Sequence, residues 1–348
     1  MKTNRTYIGE KGYLQAMKDI LTHGFEVKND RTGTGTYNIM GMQIRFPDVE
    51  HKFPLITSKQ VFWKMALAEF IWMTSGSTHV KDIPNKAMKK MWANWTYKAY
   101  LNFEPLKDSP QEYTAMGWLN KDGIPFDLER YIDKLMGDDE FCNYFGDLGP
   151  IYGGQLRNWQ YALNPLDNLS GEEIADVVQK NEGIDQLKRI YNQLTTKPYD
   201  RGIIASYWNV SQLDAMALRP CHMTFQFIVE PLYTENGRLY DNRLHLHILQ
   251  RSCDMFLGVP FNFFYYGLML QTMAYYVGMS IGDLVWEGVS CHIYKNHVDA
   301  VMDQIRQEIH IPPQVEIDTS SGFYNLKMHD FKVINYQHGP KIQADVSI

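Results

Sequence analysis

The sequence lacks several features that mark specialised classes of protein. Its cysteines, Cys142, Cys221, Cys253 and Cys291, are widely scattered and include no CxxC pair, so a disulfide framework is not indicated. The most apolar stretch, residues 255–279, is interrupted by polar side chains and holds no run of about eighteen apolar residues, which argues against a membrane span. Since the amino-terminal segment also lacks an apolar signal-peptide core, we expect a reducing, cytoplasmic location.

The chain also lacks an excess of positive charge. It carries 34 Lys and Arg against 40 Asp and Glu, a net charge of −6, and its pI is near 6.0. A protein that coats nucleic acid needs a basic face to neutralise phosphates. We therefore expect neither polymeric nucleic acid nor a membrane among its partners, and any bound nucleotide should be small.

No Pro/Gly/Ser-rich linker, abrupt change of composition or internal repeat divides the chain. With 45% hydrophobic residues, the chain has enough apolar side chain to bury a large core. The sequence therefore predicts a single domain over residues 1–348. Residues at about 96–147 are irregular and mixed in charge, apart from a predicted helix at 127–136, and this is typical of a surface insertion.

Hydrophobic periodicity predicts a mixture of helices and strands. Apolar spacings of three and four residues favour helices, and alternation favours strands, with a hairpin around the turn at 235–237. The predicted helices are 9–23, 58–73, 182–195, 261–278 and 295–309, and the predicted strands are 42–46, 203–208, 223–229, 244–248 and 283–286. Together they predict an α+β fold in which helices cover one large mixed or antiparallel sheet.

Two reactive side chains stand out in this pattern. Glu69 lies among the hydrophobic residues of the predicted 58–73 helix, either as a catalytic carboxylate or as a buried ion-pair partner. Cys221 immediately precedes a predicted strand, and a nucleophilic thiol has to ionise near neutral pH. The neighbouring Arg219 or His222 would promote that ionisation. Alternatively, Cys221 is a small buried hydrophobic residue, and His222 is a strand residue whose hydrogen bonds are made within the protein.

Residues 250–262, between a predicted strand and the apolar helix, concentrate polar groups of different kinds. The adjacent Arg251 and Ser252 suit a phosphate group. The carboxamide of Asn262 fits the edge of a uracil ring, because its oxygen accepts from N3–H while its amino group donates to O4. A helix N-cap is the alternative role for Asn262.

Several motifs, in this order along the chain, resemble those of the thymidylate synthase family. They are Arg31-Thr-Gly-Thr-Gly-Thr, Phe53-Pro-Leu-Ile-Thr-Ser-Lys59, Leu148-Gly-Pro-Ile-Tyr152, Pro220-Cys221-His222, the 250–262 segment and His292-Ile-Tyr294-Lys-Asn-His297. The resemblance spans nearly the whole chain apart from the 96–147 insertion. It implies a thymidylate synthase-like fold that dimerises through its sheet. It also implies reductive methylation of dUMP to dTMP, with 5,10-methylenetetrahydrofolate as one-carbon and hydride donor and no metal.

The same resemblance implies a role for each matching side chain. Cys221 would attack C6 of the pyrimidine, and the rest of the catalytic set would be Glu69, Tyr152, His222, Asn262 and Asp254. The nucleotide would contact Arg31, Arg201, Gln250, Arg251, Ser252, Asn262, His292 and Tyr294, with Arg201 contributed by the partner subunit of a homodimer. The folate would contact Lys59, Trp92, Trp95, Asp254, Leu257, Gly258 and Phe261.

Alternatives remain for some basic and aromatic residues. Lys59 is otherwise an ordinary solvated charge, and Trp92 with Trp95 is otherwise core packing. His245 and His247 share one strand face but have no Cys or Asp nearby in a metal-ligand spacing. We therefore expect them on a solvent or interface face rather than at a metal.

The chain departs from the family pattern where the substrates would be enclosed. Gly202 replaces one arginine of the usual cross-subunit phosphate pair, and residues 343–348 are more polar than the usual tail. The methylene intermediate becomes a methyl group only if hydride transfer outruns attack by water. The first alternative is therefore a dUMP 5-hydroxymethylase. A dCMP hydroxymethylase, against which Asn262 argues, and a non-catalytic nucleotide- or RNA-binding homologue follow.

Overall fold

The computed structural model describes residues 6–29, 32–160 and 183–346. The chain forms two compact units. The larger unit comprises Met1–Phe70, Leu187–Trp208 and Cys221–Ile348, and the smaller comprises Ile71–Gln186 and Asn209–Pro220. No helix in the described ranges is long and apolar enough to cross a bilayer.

A mixed β-sheet dominates the larger unit. Its strands are β1 Thr6–Ile8, β2 Phe25–Val27, β3 Thr36–Phe46, β4 Ile204–Ser206, β5 His222–Tyr233, β6 Leu239–Asp254 and β7 Ser280–Tyr294. They are ordered β1-β3-β7-β6-β5-β4, and β2 pairs with β3. The β1–β3 and β6–β7 pairs are parallel and the rest are antiparallel. The predicted α+β class with a mixed sheet is confirmed.

Helices and a small second sheet complete the described chain. The α-helices are Gly9–His23, Trp63–Ser75, Lys86–Ala93, Tyr97–Leu101, Pro105–Asp108, Pro110–Ala115, Leu128–Gly137, Asp139–Phe145, Tyr152–Arg157, Gln186–Thr196, Gly258–Val277 and Val298–Ile305. Strands β8 Gln314–Ile317 and β9 Phe331–Ile334 form an antiparallel pair. The predicted helix at 9–23 is confirmed at both ends.

The helix Gly258–Val277 is buried against one face of the sheet. Phe263 packs edge-on against Trp286 of β7, with ring centroids 5.6 Å apart. On β6, Leu244, Leu246 and Ile248 are fully buried on this face, while the alternate residues point to the other face, as strand geometry requires. Each such buried aliphatic side chain contributes about 1.5–3 kcal/mol of transfer free energy.

The predicted helix at 58–73 is wrong at its start, because the helix begins at Trp63. The backbone N–H groups of Thr57 and Ser58 donate to the Glu10 carboxylate at 2.9 and 2.6 Å. The Thr57 carbonyl oxygen accepts from Gly339 N–H at 2.7 Å. Because these backbone groups are hydrogen-bonded to distant parts of the chain, residues 57–62 are not helical, and local periodicity does not reveal this.

The predicted strand at 283–286 is much too short, since β7 runs over 15 residues. Glycines interrupt the alternation of apolar and polar side chains along this strand. A Cβ at Gly288 would lie 2.3 Å from the Trp286 ring and 2.5 Å from Cys291 Sγ, so a residue without a side chain is required there. The 42–46 prediction is short for a related reason, because β3 contains Gly41 at φ +74°.

The predicted insertion contains an aromatic core of its own within the smaller unit. Tyr100 is fully buried, and its ring packs against Tyr131 and Phe145 at 4.9 and 5.2 Å. Its hydroxyl donates to the Trp118 carbonyl oxygen and accepts from Phe126 N–H. The predicted helix at 127–136 is observed as Leu128–Gly137. The segment is therefore an ordered cluster of short helices rather than an irregular loop.

Candidate active site

Strands β5 and β6 bring the two richest sequence motifs together. Cys221 directly precedes β5, and its carbonyl oxygen accepts a 2.8 Å hydrogen bond from Arg251 N–H on β6. Next to this bond, His222 is paired with Gln250 in the ladder. Cys221, Arg251 and Ser252 are half-buried. The candidate nucleophile and the candidate phosphate pair therefore lie at the same end of two neighbouring strands, where they are partly exposed.

Gln250 holds the β6 end in place. Its side-chain oxygen accepts from Trp286 Nε1 at 2.9 Å, and its amide nitrogen donates to the Ser252 carbonyl oxygen at 2.9 Å. The Arg251 guanidinium lies over the Trp208 ring at 5.2 Å, a cation–π contact that orients it. Gln250 is thus tied to the protein by both ends of its carboxamide, and its predicted contact with the nucleotide stays a prediction.

His222 is fully buried, and burial lowers its pKa to about 4, although a hydrogen bond with the Asn262 side chain partly opposes that shift. Its Nδ1 lies 3.0 Å from the Tyr266 hydroxyl. The imidazole is therefore neutral near pH 7, and the prediction that a charged His222 promotes ionisation of Cys221 is wrong. It serves instead as a polar support for Asn262.

Asn262 is the fifth residue of the helix Gly258–Val277, so the alternative role as its N-cap is excluded. The turn before the helix is closed by Asp254, whose Oδ1 accepts from Phe256 N–H at 3.0 Å and Leu257 N–H at 3.2 Å. The Asn262 side chain is held by His222 at 8% exposure. A fixed carboxamide at a nearly buried position is suited to reading the edge of a planar base.

The end of β7 lies beside the end of β6. His292 pairs with Asp254 in the ladder, and its Nδ1 lies 3.1 Å from the Ser290 carbonyl oxygen. Because a carbonyl oxygen only accepts, Nδ1 carries the proton, and Nε2 is then an acceptor. The His292 and Tyr294 rings are perpendicular, 5.1 Å apart. An acceptor nitrogen with a nearby phenol suits a sugar hydroxyl.

Lys59 is buried, so the alternative of an ordinary solvated charge is wrong. Its ammonium group donates to the Phe256 carbonyl oxygen and lies 3.5 Å from the centroid of the Phe256 ring. Burial lowers its pKa to about 7, and the Asp254 carboxylate partly offsets this effect. Lys59 thus contacts the same turn that Asp254 closes.

The remaining predicted residues of the larger unit differ in burial. Glu69 lies on the helix Trp63–Ser75 and is buried, as its apolar neighbours predicted. Arg201 is exposed in the turn before β4. Arg31 lies outside the described residues. A Cβ at Gly202 would meet only the Asp200 side chain, at 3.2 Å and beyond, so nothing rigid in the described fold forbids a side chain there.

The smaller unit contains the other predicted aromatics. Trp92 packs against Trp72 and Tyr152, with ring centroids 5.1 and 6.2 Å apart. Trp92 and Tyr152 are buried and Trp95 is half-buried, so the core alternative describes Trp92 well. In this unit Arg219 forms a salt bridge with Asp214 at 2.7 Å.

Sequence reasoning missed the residues that hold the predicted ones in place. The Tyr266 hydroxyl lies beside His222, and Trp286 donates to Gln250. The Trp208 ring stacks on Arg251, and the Phe256 carbonyl oxygen accepts from Lys59. All are aromatic residues within or beside apolar runs. Nothing in such a run separates an aromatic that only fills the core from one whose ring or polar atom supports a site.

Comparison with known proteins agrees with these motifs. A model of the thymidylate synthase family matches residues 11–348. A thymidylate synthase from Sinorhizobium fredii is 33% identical over 340 residues, which cover 97% of this chain and 98% of the relative. One from Zymomonas mobilis is 31% identical over 342 residues, 98% of this chain and all of the relative. One from Mycoplasma genitalium is 32% identical over 338 residues, 97% of this chain and all of the relative.

We expect His222 to make the protein less stable as the pH falls from 6.5 towards 4. Between these pH values the imidazole is protonated in the unfolded chain but stays neutral in the folded chain. The free energy of unfolding therefore falls by up to about 3 kcal/mol. Urea unfolding of the wild type and of His222→Gln, at fixed protein concentration, should show the advantage of the wild type shrinking over this window.

His51→Gln provides a control of opposite sign. Its contact with Asp48 raises the pKa of His51, so the wild-type advantage there should grow as the pH falls. A His222 advantage that is constant from pH 7 to pH 4 would show that the ring is not held neutral.

Proposed function

The chain belongs to the thymidylate synthase family, and we propose that Cys221 is the nucleophile of its reaction. The protein is a methyltransferase of dTMP biosynthesis, and its substrates are dUMP and a reduced folate. Its relatives are named as synthases, which favours methylation over hydroxymethylation. One observation supports the assignment of residues: the bond from Arg251 N–H to the Cys221 carbonyl oxygen, which joins the Cys221 backbone to the strand that carries Arg251 and Ser252.

In the proposed reaction, the Cys221 thiolate forms a bond to C6 of the pyrimidine, and the displaced electron pair makes C5 nucleophilic. The 5,10-methylenetetrahydrofolate supplies the one-carbon unit and the hydride. Once C5 has lost its proton and the methyl group is complete, the sulfur–carbon bond breaks and the thiolate is restored. Glu69 and Tyr152 are assigned to the proton transfers, Glu69 because its carboxylate is buried among the apolar residues of the helix Trp63–Ser75.

The nucleotide is held by three groups of residues in this proposal. Arg251 and Ser252 bind the phosphate together with Arg31 and the partner's Arg201. His292 and Tyr294 bind the sugar hydroxyl, since Nε2 of His292 is an acceptor. Asn262 binds the base, and the neutral His222 keeps its carboxamide in one orientation.

The folate is assigned to the turn between β6 and the helix Gly258–Val277. Leu257, Gly258 and Phe261 are half-buried there beside the Asp254 carboxylate. An apolar surface next to an acceptor fits a flat pterin ring that carries N–H donors. The Lys59 ammonium group contacts the Phe256 ring of this turn, and Lys59 is assigned to the folate's glutamate portion. The predicted folate contacts of Trp92 and Trp95, which lie in the smaller unit, stay predictions.

The open face of the sheet supports dimerisation. Ile204 and Ile228 are 45% and 50% exposed on it, although both belong to strands of the central sheet. Beside them, His245 lies 3.2 Å from Glu230 and His247 lies 3.1 Å from Glu287. Apolar side chains among paired charges are typical of a protein interface. We propose that a second copy of the chain covers this face and that Arg201, in the turn before β4, enters the partner's site.

We expect Cys221→Ser to lower kcat for dTMP formation by at least about 1,000-fold, because an alcohol is a far weaker nucleophile than a thiolate. Purified enzyme would be incubated with dUMP and 5,10-methylenetetrahydrofolate, and the products identified by mass spectrometry. Wild type should give dTMP with dihydrofolate. A 5-hydroxymethyl product with tetrahydrofolate would support the hydroxymethylase instead. If the serine variant turned over as fast as the wild type, Cys221 would not be the nucleophile. Cys142→Ser, in the other unit, is the control and should remain active.

We expect Asn262→Asp to raise the ratio of kcat/KM for dCMP over dUMP by about tenfold or more, because a carboxylate accepts from the cytosine amino group but cannot donate to O4 of uracil. Steady-state kinetics with both nucleotides would measure this. Asn262→Ala is the matched control, since it removes base contacts without favouring cytosine. Equal base preference in Asn262→Asp and Asn262→Ala would contradict edge reading by this residue.

Hybrid dimers test the position of Arg201. Cys221→Ser and Arg201→Met chains should each be strongly impaired alone. If Arg201 serves the partner's site, each hybrid dimer has one intact site. Random mixing then restores about a quarter of wild-type activity, because half of the dimers are hybrids with one good site of two. No recovery in verified hybrids would place Arg201 in its own subunit's site or outside any site.

A further inference from the structure

The part of β6 that carries the candidate phosphate pair departs from regular strand alternation. Along the preceding residues of the strand every second side chain is buried, up to Gln250, but the next buried residue is Cys253. Residues three apart in a regular strand face opposite sides of the sheet. The strand is therefore irregular between these two residues, and Arg251 and Ser252 become two consecutive half-buried positions.

The neighbouring strand β7 changes at the same place. Gly288 pairs with Gln250, and Cys291 pairs with Cys253. Gly288 and Cys291 are buried, while residues 289 and 290 between them are exposed. The pairs are equally spaced on both strands, so the irregularity is shared and the register is kept. Two consecutive residues of β6, the candidate phosphate pair, thus lie on the partly exposed side of the sheet.

Two buried side chains bind the backbone of this irregular stretch. Carbonyl groups that an irregular strand turns away from its neighbours need another hydrogen-bond donor when they are buried. The Gln250 amide nitrogen donates to the Ser252 carbonyl oxygen at 2.9 Å. Cys253 Sγ donates to the Gln250 carbonyl oxygen at 3.4 Å. Because a thiol is a weak donor, the Gln250 carboxamide is the stronger of these two supports.

Trp286 determines which way the Gln250 carboxamide faces. The indole is fully buried, and its Nε1–H donates to Gln250 Oε1 at 2.9 Å. Since an indole N–H only donates, the carboxamide oxygen faces Trp286, and the amide nitrogen is left for the Ser252 carbonyl oxygen. The indole is held in turn by Phe263 of the buried helix, with ring centroids 5.6 Å apart. Two hydrogen bonds in series therefore connect the core to the phosphate pair.

We propose that Trp286 is a positioning residue for the nucleotide phosphate, because through Gln250 it maintains the irregular backbone that presents Arg251 and Ser252 side by side. The inference rests on the proposed function, which takes Arg251 and Ser252 as phosphate ligands. Trp286 is buried and acts through Gln250 rather than on the substrate. In this role Gln250 supports the phosphate pair from within the protein.

Trp286→Phe tests this role, because it keeps a ring beside Phe263 and removes the N–H donor. The Kd for dUMP and the Kd for deoxyuridine, which has no phosphate, would be measured by equilibrium titration of the full-length protein. We expect the Kd for dUMP to rise about tenfold and the Kd for deoxyuridine to change less than about twofold. An equal rise for both ligands, or no rise for dUMP, would overturn the proposal.

A double-mutant cycle tests whether Trp286 acts through Gln250. Gln250→Met keeps much of the side-chain volume but has no amide for either partner. The Kd for dUMP in the double variant should match that of Gln250→Met within about twofold. If the two single effects multiply instead, the proposed connection is wrong. Should Trp286→Phe fail to fold, Gln250→Met decides alone, and an equal loss of dUMP and deoxyuridine affinity there overturns the proposal.

Trp72→Phe is the matched control, since Trp72 is buried and its Nε1 donates to the His79 carbonyl oxygen at 3.1 Å within the smaller unit. Both Kd values should stay within about twofold of the wild type. A loss of dUMP affinity like that of Trp286→Phe would mean that any buried indole has this effect, against the proposal.

Backbone hydrogen exchange tests the support of the strand without a ligand. Peptides that cover residues 250–254 should exchange about 3- to 10-fold faster in Trp286→Phe, and peptides from β8 and β9 should not change. Unchanged exchange at residues 250–254 overturns the proposal. If the wild type binds no dUMP, the proposed function fails, and the exchange result still decides whether Trp286 holds this part of β6.

Discussion

The hydrogen bond between Arg251 N–H and the Cys221 carbonyl oxygen is the contact on which the site's geometry depends. It joins residues thirty apart in the sequence and, with the His222–Gln250 pair, aligns the two strand ends, which an irregularity between His222 and Thr224 separates from the rest of the β5–β6 ladder. A slip of one residue there would turn the side chains at the end of β6 to the opposite face. Cys221, the candidate phosphate pair and His222, which supports Asn262, therefore depend on the same pairing of two strand ends.

The electrostatic character of this edge follows from burial. His222 and Lys59 are basic side chains whose pKa is lowered because water is excluded around them. Cys253 is also buried, which raises the pKa of its thiol and keeps it protonated. The half-buried Arg251 guanidinium lies over the Trp208 ring at this end of β6. Cys253 and Cys291 are buried, so Cys221 is the thiol at these strand ends that is partly exposed.

The sequence predicted the class of fold and the order of its main elements, because helical and alternating periodicity survive in Gly9–His23, β5, β6 and the buried helix. It failed where tertiary contacts replace local ones. Residues 57–62 have a helical pattern but their backbone binds Glu10 and the carboxyl-terminal segment. In β7, Gly288 interrupts the alternation for reasons of space that only its neighbours reveal. The candidate site residues were predicted by motif, but the neutral state of His222 and the burial of Lys59 depend on aromatic neighbours that no motif marks.

The segment around Thr57 is fixed from both ends of the polypeptide. Glu10 binds its N–H groups from the first helix, and Gly339 donates to its carbonyl oxygen from the far end of the chain. Glu10 is made before Thr57, but Gly339 is made long after it, once the strands of the large sheet have been made. The backbone that carries Lys59 is therefore held on both sides only once Gly339 is present. A chain that has already formed its sheet still lacks this second attachment until residues far beyond the sheet have joined it.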